Sequence, residues 1–265
     1  CSKPLVVGDV VHVVVNEQLS SGNVRNHFVS ARFSDIGLGT SATAATGRLR
    51  SWSCSSGRRP IRVVQALDDD CSTLVYTQDE LFHFATTTGG ASGHAGEDDG
   101  RGGGVGGGRG GYVSESLPVH TGSVADFRVN PFSRDIVSGG VDGHVHILNF
   151  PPDMAGVPTM KVSKYVGMPV TSARWGVGQP YVASWTTPAG FLQMLDTRDY
   201  RLVCGLRVED PQGVLTHEYI SDVVLAVGCE SGGVQLFDVR NMSTFLRLQD
   251  PVAGGIQQVV CFIPT

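Results

Sequence analysis

The chain has 265 residues, 41% of them hydrophobic and 17% charged, with a formal net charge of −5; this globular balance allows one large core or two small ones. Its 20 lysines and arginines are scattered, which excludes the clustered basic surface that a general nucleic-acid binder needs to displace counterions. The six cysteines, Cys1, Cys54, Cys71, Cys204, Cys229 and Cys261, form neither a CxxC pair nor a tight framework, so reduced thiols in an intracellular protein are expected.

Residues 5–15, LVVGDVVHVVV, are the most apolar run. The run is about half the length of a membrane span and contains Asp9 and His12, so one or two buried strands are expected there. Helical periodicity is almost absent along the chain. Short β-branched runs punctuated by Gly, Pro, Asp and Ser predict an all-β architecture.

One pattern recurs: a turn, an apolar residue, a polar residue, an apolar residue, a bulky residue, then often Asp. It stands at TGRLRSWS (46–53), QDELFHFA (78–85), DGHVHILN (142–149), AGFLQMLD (189–196) and SGGVQLFD (231–238). The bulky residues are Trp52, Phe84, Leu148, Leu195 and Phe237, at intervals of 32, 64, 47 and 42. The longest interval contains the Gly-rich segment 89–111; without those 23 residues it is 41. A period near 40 suits a unit of four strands. The third copy is the fullest, with a strand at SVADFRVNP (123–131), a short strand at DIVSGG (135–140), a tight turn at VDG (141–143) and a strand at HVHILNF (144–150).

This recurrence resembles the WD40 repeat family over most of the chain. Only one of the five bulky residues is Trp, and only Leu195 and Phe237 are followed by Asp. The resemblance implies a single all-β domain over 1–265, a WD40-like β-propeller of about six or seven blades. Residues 252–263, VAGGIQQVVCFI, resemble the opening strand of a further blade, and residues 4–15 resemble strands that complete it. Pairing the two ends would close a ring of about six blades and hide both edges; a truncated seven-bladed ring is the alternative. The family's structural hydrogen-bond network maps onto His120 and Asp142, with Ser138 as a candidate partner. The position of the family's usual Trp holds Leu148.

His144 and His146 have the spacing of two metal ligands on one strand face. A catalytic zinc needs a third ligand, and no carboxylate or third histidine stands in register. In the WD pattern the two histidines occupy polar, outward-facing positions between the inward Val145 and Ile147. No metal and no cofactor are therefore expected. The segment 89–111 contains 13 glycines and superficially matches phosphate-loop patterns. No helical pattern follows it, so it is expected to be a disordered loop between blades. Its Arg101 and Arg109 resemble arginine-glycine RNA-binding segments, beside Glu97, Asp98 and Asp99; nucleic acid is not expected as a partner. The Asp triplet 68–70 is expected to be a solvated turn. No nucleophile elbow, HExxH or Cys/His set is present, so no catalytic residues are expected.

LDTR (195–198) and FDVR (237–240) both end a repeat with Asp-x-Arg. They resemble the WDxR box of substrate receptors for cullin-4 ubiquitin ligases, in which the arginine helps dock the DDB-one adaptor. The matching residues are Arg198 and Arg240, the candidate partner-docking residues. Local pairing of each Arg with its Asp is the favoured reading, because exposed pairs of this kind are common. The resemblance as a whole implies a non-catalytic scaffold within a larger intracellular protein complex of ciliary, nuclear-pore or chromatin type. It implies neither a small-molecule substrate nor a membrane. The alternative is the ligase receptor.

The Gly-rich segment generates a first prediction. Loop-closure cost depends weakly on loop length. Replacing residues 89–111 by a short Gly/Ser linker should leave the thermal midpoint almost unchanged; a large drop would mean that the segment packs.

Overall fold

The computed structural model describes the strand residues between 5 and 116, residues 117–150 and 158–249, and residues 255, 256 and 259. Before residue 117, side chains are described only for Val75, Thr77, Leu81 and Phe82. The Gly-rich segment with Arg101 and Arg109, the Asp triplet 68–70 and most of 252–263 lie outside the described residues. Among the described residues there are twenty strands and no helix, hence no helix long and apolar enough to cross a membrane. The strands form five four-stranded antiparallel sheets. Internal contacts divide the chain into two compact units: Cys1–Tyr76 with Phe82–Ser116, and Thr77–Leu81 with Leu117–Thr265.

The first sheet is built from β1 (Leu5–Val7), β2 (Val10–Gln18), β3 (Val24–Arg32) and β4 (Arg50–Gly57), and the second from β5 (Val64–Ala66), β6 (Thr73–Gln78), β7 (Leu81–Thr87) and β8 (Tyr112–Leu117). Residues 5–7 and 10–15 thus lie in β1 and β2, which pair in order with β3 and β4.

Three further sheets follow in the second unit. They are β9 (Val124–Val129), β10 (Ile136–Gly140), β11 (His144–Asn149) and β12 (Thr159–Tyr165); then β13 (Ser172–Gly176), β14 (Gln179–Thr186), β15 (Phe191–Asp196) and β16 (Arg201–Arg207); then β17 (Val214–Tyr219), β18 (Val224–Cys229), β19 (Gly233–Asp238) and β20 (Ser243–Gln249). In each, four consecutive strands pair in chain order as one up-and-down meander. The second-to-third-strand turns end in Gly143, Gly190 and Gly232, with φ of 77°, 82° and 85°. That left-handed conformation is open to glycine at little cost, which is why each turn is written with Gly.

Phe84, Leu148, Leu195 and Phe237 all sit on the third strand of their sheets, β7, β11, β15 and β19. Trp52 sits on the fourth strand, β4, of the first sheet. The first repeat is therefore out of step by one strand, which accounts for its short interval of 32 residues.

Burial differs sharply between strands whose side chains are described. β10 and β13 are enclosed along their whole length, while β12, β16 and β20 are mostly exposed. One core cluster joins Val137, Val145 and Ile147 to Val170, Ala173, Trp175, Trp185 and Leu195. A second joins Leu192 and Met194 to Val214, Tyr219, Leu225, Val227 and Phe237. Both indoles of the first cluster find a polar partner: Trp175 Nε1 donates to Arg128 O at 2.9 Å and Trp185 Nε1 to Gln193 Oε1 at 3.0 Å.

Charge is buried too. Asp126 on β9 is 0% exposed and Arg174 on β13 is 1% exposed. Arg174 Nη1 donates to Asp126 Oδ2, and its Nε donates to Glu218 Oε2 on β17 at 2.8 Å. Arg128 Nη1 donates to the second Asp126 oxygen at 3.3 Å. The first strands of three successive sheets are thus joined by one ladder of charges.

Removing one partner of a buried pair leaves the other charge uncompensated. Asp126→Ala should therefore lower stability by about 3–5 kcal/mol in urea unfolding. Arg247→Ala, which breaks the exposed pair with Glu209, should leave the urea midpoint nearly unchanged. Equal, small effects would show that the ladder carries little.

Candidate functional site

His120 stands in the loop four residues ahead of β9, Ser138 on β10, Asp142 in the β10–β11 turn, and His144 and His146 on β11. The fold brings His120, Ser138 and Asp142 together. His120 Nδ1 lies 3.0 Å from Asp142 Oδ1 and 3.2 Å from Oδ2, and His120 Nε2 lies 3.0 Å from Ser138 Oγ. An ionised carboxylate only accepts, so Nδ1 carries the proton and Ser138 donates to Nε2. Asp142 also accepts from the backbone of Thr121 at 2.9 Å and of His144 at 3.1 Å. The carboxylate therefore ties the entry loop to the turn. A Cβ on Gly140 would fall 2.3 Å from His120 Nδ1 and 2.5 Å from Asp142 Oδ1, so the cluster closes only over a glycine.

Ser, His and Asp in this order of contact also make the nucleophilic set of many hydrolases. Here Ser138 is 0% exposed in a strand covered on both faces. A substrate carbonyl could reach its Oγ only if the sheet came apart. The arrangement acts as a clamp.

His146 departs from the outward-facing expectation. It is 5% exposed, because the His120 ring covers it, with centroids 4.5 Å apart. His144 stacks on it at 5.6 Å with an interplanar angle of 7° and leans on Tyr165 at 5.0 Å. The His144 side chain is 36% exposed. His146 Nδ1 is enclosed with no hydrogen-bond partner, a desolvation cost of about 1–3 kcal/mol. The argument that no third ligand stands in register fails in three dimensions, because His120 and Asp142 approach His146 from the loop and the turn.

Burial, helped by the neighbouring histidines, pushes the His146 imidazole down to about 4. Burial also lowers His120, against the opposing pull of Asp142. Burial alone would raise Asp142, but the Thr121 and His144 amides and the His120 ring outweigh it and hold the carboxyl at about 2.

A second loop-to-turn link was not recognised in the sequence. Asp210 stands four residues ahead of β17, as His120 stands ahead of β9. Ser231, in the turn before Gly232, donates to Asp210 Oδ2. Asp210 Oδ1 accepts from the Gln212 and Gly213 amides, both at 2.9 Å. HTGSV (120–124) and DPQGV (210–214) are the matching stretches, and the shared offset to the first strand was the available signal. His217 on β17 has no motif around it in the sequence; its Nε2 lies 2.9 Å from Ser184 Oγ on the neighbouring sheet.

Arg198 and Arg240 stand in equivalent turns after β15 and β19, and each closes on its own carboxylate. Arg198 Nε donates to Asp196 Oδ1 at 3.0 Å and Nη2 to Oδ2 at 2.5 Å. Arg240 repeats both contacts to Asp238 at the same distances. These hydrogen bonds hold both carboxyls at about 2. Four residues after each Asp the chain takes a positive φ, 58° at Tyr200 and 54° at Met242. The Arg198 guanidinium also lies 5.3 Å over the Tyr181 ring.

No protein-family model matches this chain, and no curated protein matches it.

The histidine cluster predicts a pH dependence. A histidine whose folded value lies below its unfolded 6.5 binds its proton more readily when unfolded, so its contribution to stability is complete above that value and falls away toward about 4. In chelator-containing buffer, stability should drop by about 2 kcal/mol from this residue between neutrality and mild acid. His146→Phe should flatten that part of the profile, read as thermal midpoint against pH. An unchanged profile would show that His146 is not the group titrating.

Proposed function

We propose that the chain is a WD40-type β-propeller that works as a non-catalytic platform for protein partners inside the cell. The observation that carries this reading is the threefold repetition of one meander in the second unit. β9, β13 and β17 are joined by the Asp126–Arg174–Glu218 ladder, and the loops recur at equivalent places. Rigid sheets that present equivalent loops suit recognition better than chemistry, because the scaffold holds the loops while their residues vary freely.

The exposed side chains support the same reading. Phe132, Tyr181 and Tyr200 project from the β9–β10 hairpin, the start of β14 and the β15–β16 turn, and Leu202, Val203, Phe245 and Leu248 project from β16 and β20. Aromatic residues and arginine are the usual anchors of protein interfaces, and Tyr181 with Arg198 over its ring forms such a pair. The ligase-receptor reading draws on Arg198 and Arg240. Their closure on Asp196 and Asp238 favours local pairing instead.

Affinity purification with quantitative mass spectrometry tests both readings. The wild type should retain a reproducible protein partner at near-stoichiometric amounts, and Tyr181→Ala with Tyr200→Ala should release one. Absence of any stoichiometric partner would overturn the platform. Arg198→Ala with Arg240→Ala should leave the partner set unchanged, without the DDB-one adaptor in it. Stoichiometric adaptor in the wild type, lost in the arginine variant, would replace the scaffold by the receptor.

A further inference from the structure

The clamp accounts for His120, Ser138 and Asp142 but leaves His146 Nδ1 enclosed and without a partner. One ring nitrogen of His120, one of His146 and one oxygen of Asp142 all lie within 4.8 Å of one another. We propose that His120, Asp142 and His146 form a binding site for a divalent transition cation of the zinc class, with a fourth position open to His144 or water.

The donor set and its spacing suit such an ion. Zinc holds imidazole nitrogen and carboxylate oxygen at about 2.0–2.2 Å in a tetrahedral arrangement. His120 Nδ1 and Asp142 Oδ1 already stand 3.0 Å apart, close to the separation of two donors on one such ion. The ion takes the place of the proton between them. His120 changes tautomer, so that Nε2 now carries the proton and donates to Ser138 Oγ, 3.0 Å away. A ligating imidazole is commonly fixed by this kind of hydrogen bond from its other nitrogen. His120 and His146 are neutral before and after, and Asp142 is ionised before and after. No proton leaves at neutral pH, and the net charge of the cluster changes from −1 to +1 on taking up a doubly charged ion.

His146 supplies the third donor from the unpartnered Nδ1. His144 Nδ1 stands 3.8 Å from Asp142 Oδ1 on the more exposed side of the cluster, where it can complete the shell. Two imidazoles and a carboxylate favour zinc, cobalt or nickel over calcium or magnesium, which prefer oxygen alone. An ion held here would cross-link the loop before β9, the β10–β11 turn and β11.

The test is a titration of the chelator-stripped chain with Co²⁺, followed by displacement with Zn²⁺. One equivalent of Co²⁺ should give the visible bands of tetrahedral coordination, Zn²⁺ should abolish them, and Zn²⁺ should raise the thermal midpoint, as any ligand of the folded state does. His146→Phe keeps an aromatic ring on β11 and should lose both responses with its far-UV circular dichroism unchanged. Asp142→Asn should weaken binding at least about tenfold, and it decides the matter if His146→Phe fails to fold. Absence of the cobalt bands in the wild type, or unchanged affinity in the folded variants, overturns the site.

Discussion

The contact between Asp126 and Arg174 is the one on which the packing of the second unit depends. Both side chains are enclosed, and a charge in such a place is tolerated only when it is paired and hydrogen-bonded. Apolar contacts between sheets supply most of the attraction, but they are non-directional. The guanidinium is a planar fork that must meet Asp126 from β9 with one nitrogen and Glu218 from β17 with another. The ladder therefore specifies how the three first strands sit against one another, where hydrophobic burial alone would leave them free to slide. Arg174 Nη2 has no partner, so the specification carries a residual desolvation cost.

Around this ladder each sheet needs its entry loop tied to its second turn, and the chain makes that tie with different residues. In the β9–β12 sheet a histidine reaches an aspartate; in the β17–β20 sheet a serine reaches an aspartate, with the carboxylate moved from the turn to the loop. The β13–β16 sheet has Met168 and Ala189 at the corresponding positions. There Thr171, just ahead of β13, meets Thr186 at the end of β14: Thr171 N donates to Thr186 O at 2.9 Å, and the two hydroxyls stand 3.0 Å apart. A further backbone link recurs inside two of the sheets: Val166 N donates to Gly143 O at 2.8 Å, and Val208 N to Gly190 O at 2.7 Å. What the fold requires is the tie, and side-chain identity is left free for other uses. The surplus of histidine in the first of these ties has no counterpart in the other two.

The start of the second unit was legible from local pattern. Strands β9, β10 and β11 and the turn at 141–143 fall where alternation and glycine place them, since pleat and turn geometry are set within a few residues. Four of the five bulky residues take the same strand position. Trp52 does not, because neighbouring strands of a hairpin share the same alternation, and one motif cannot tell a third strand from a fourth. The burial of His146 was illegible for a related reason. Alternation assigns residues to two faces of a strand, and only a neighbouring segment decides whether the second face meets water.

The sequence by itself determined the all-β class, the places of β9, β10 and β11, the glycine turns at Gly143, Gly190 and Gly232, and the local closure of Arg198 on Asp196 and Arg240 on Asp238. Each of these rests on contacts between residues that are neighbours in the chain. Tertiary structure alone decided that Arg174 is buried between two carboxylates, 48 and 44 residues away. It alone decided that a histidine from a loop covers His146 and brings a third donor to the pair on β11. These outcomes belong to segments that meet only after the sheets have stacked, and the energy of a buried charge or an enclosed imidazole depends on what surrounds it rather than on what precedes and follows it.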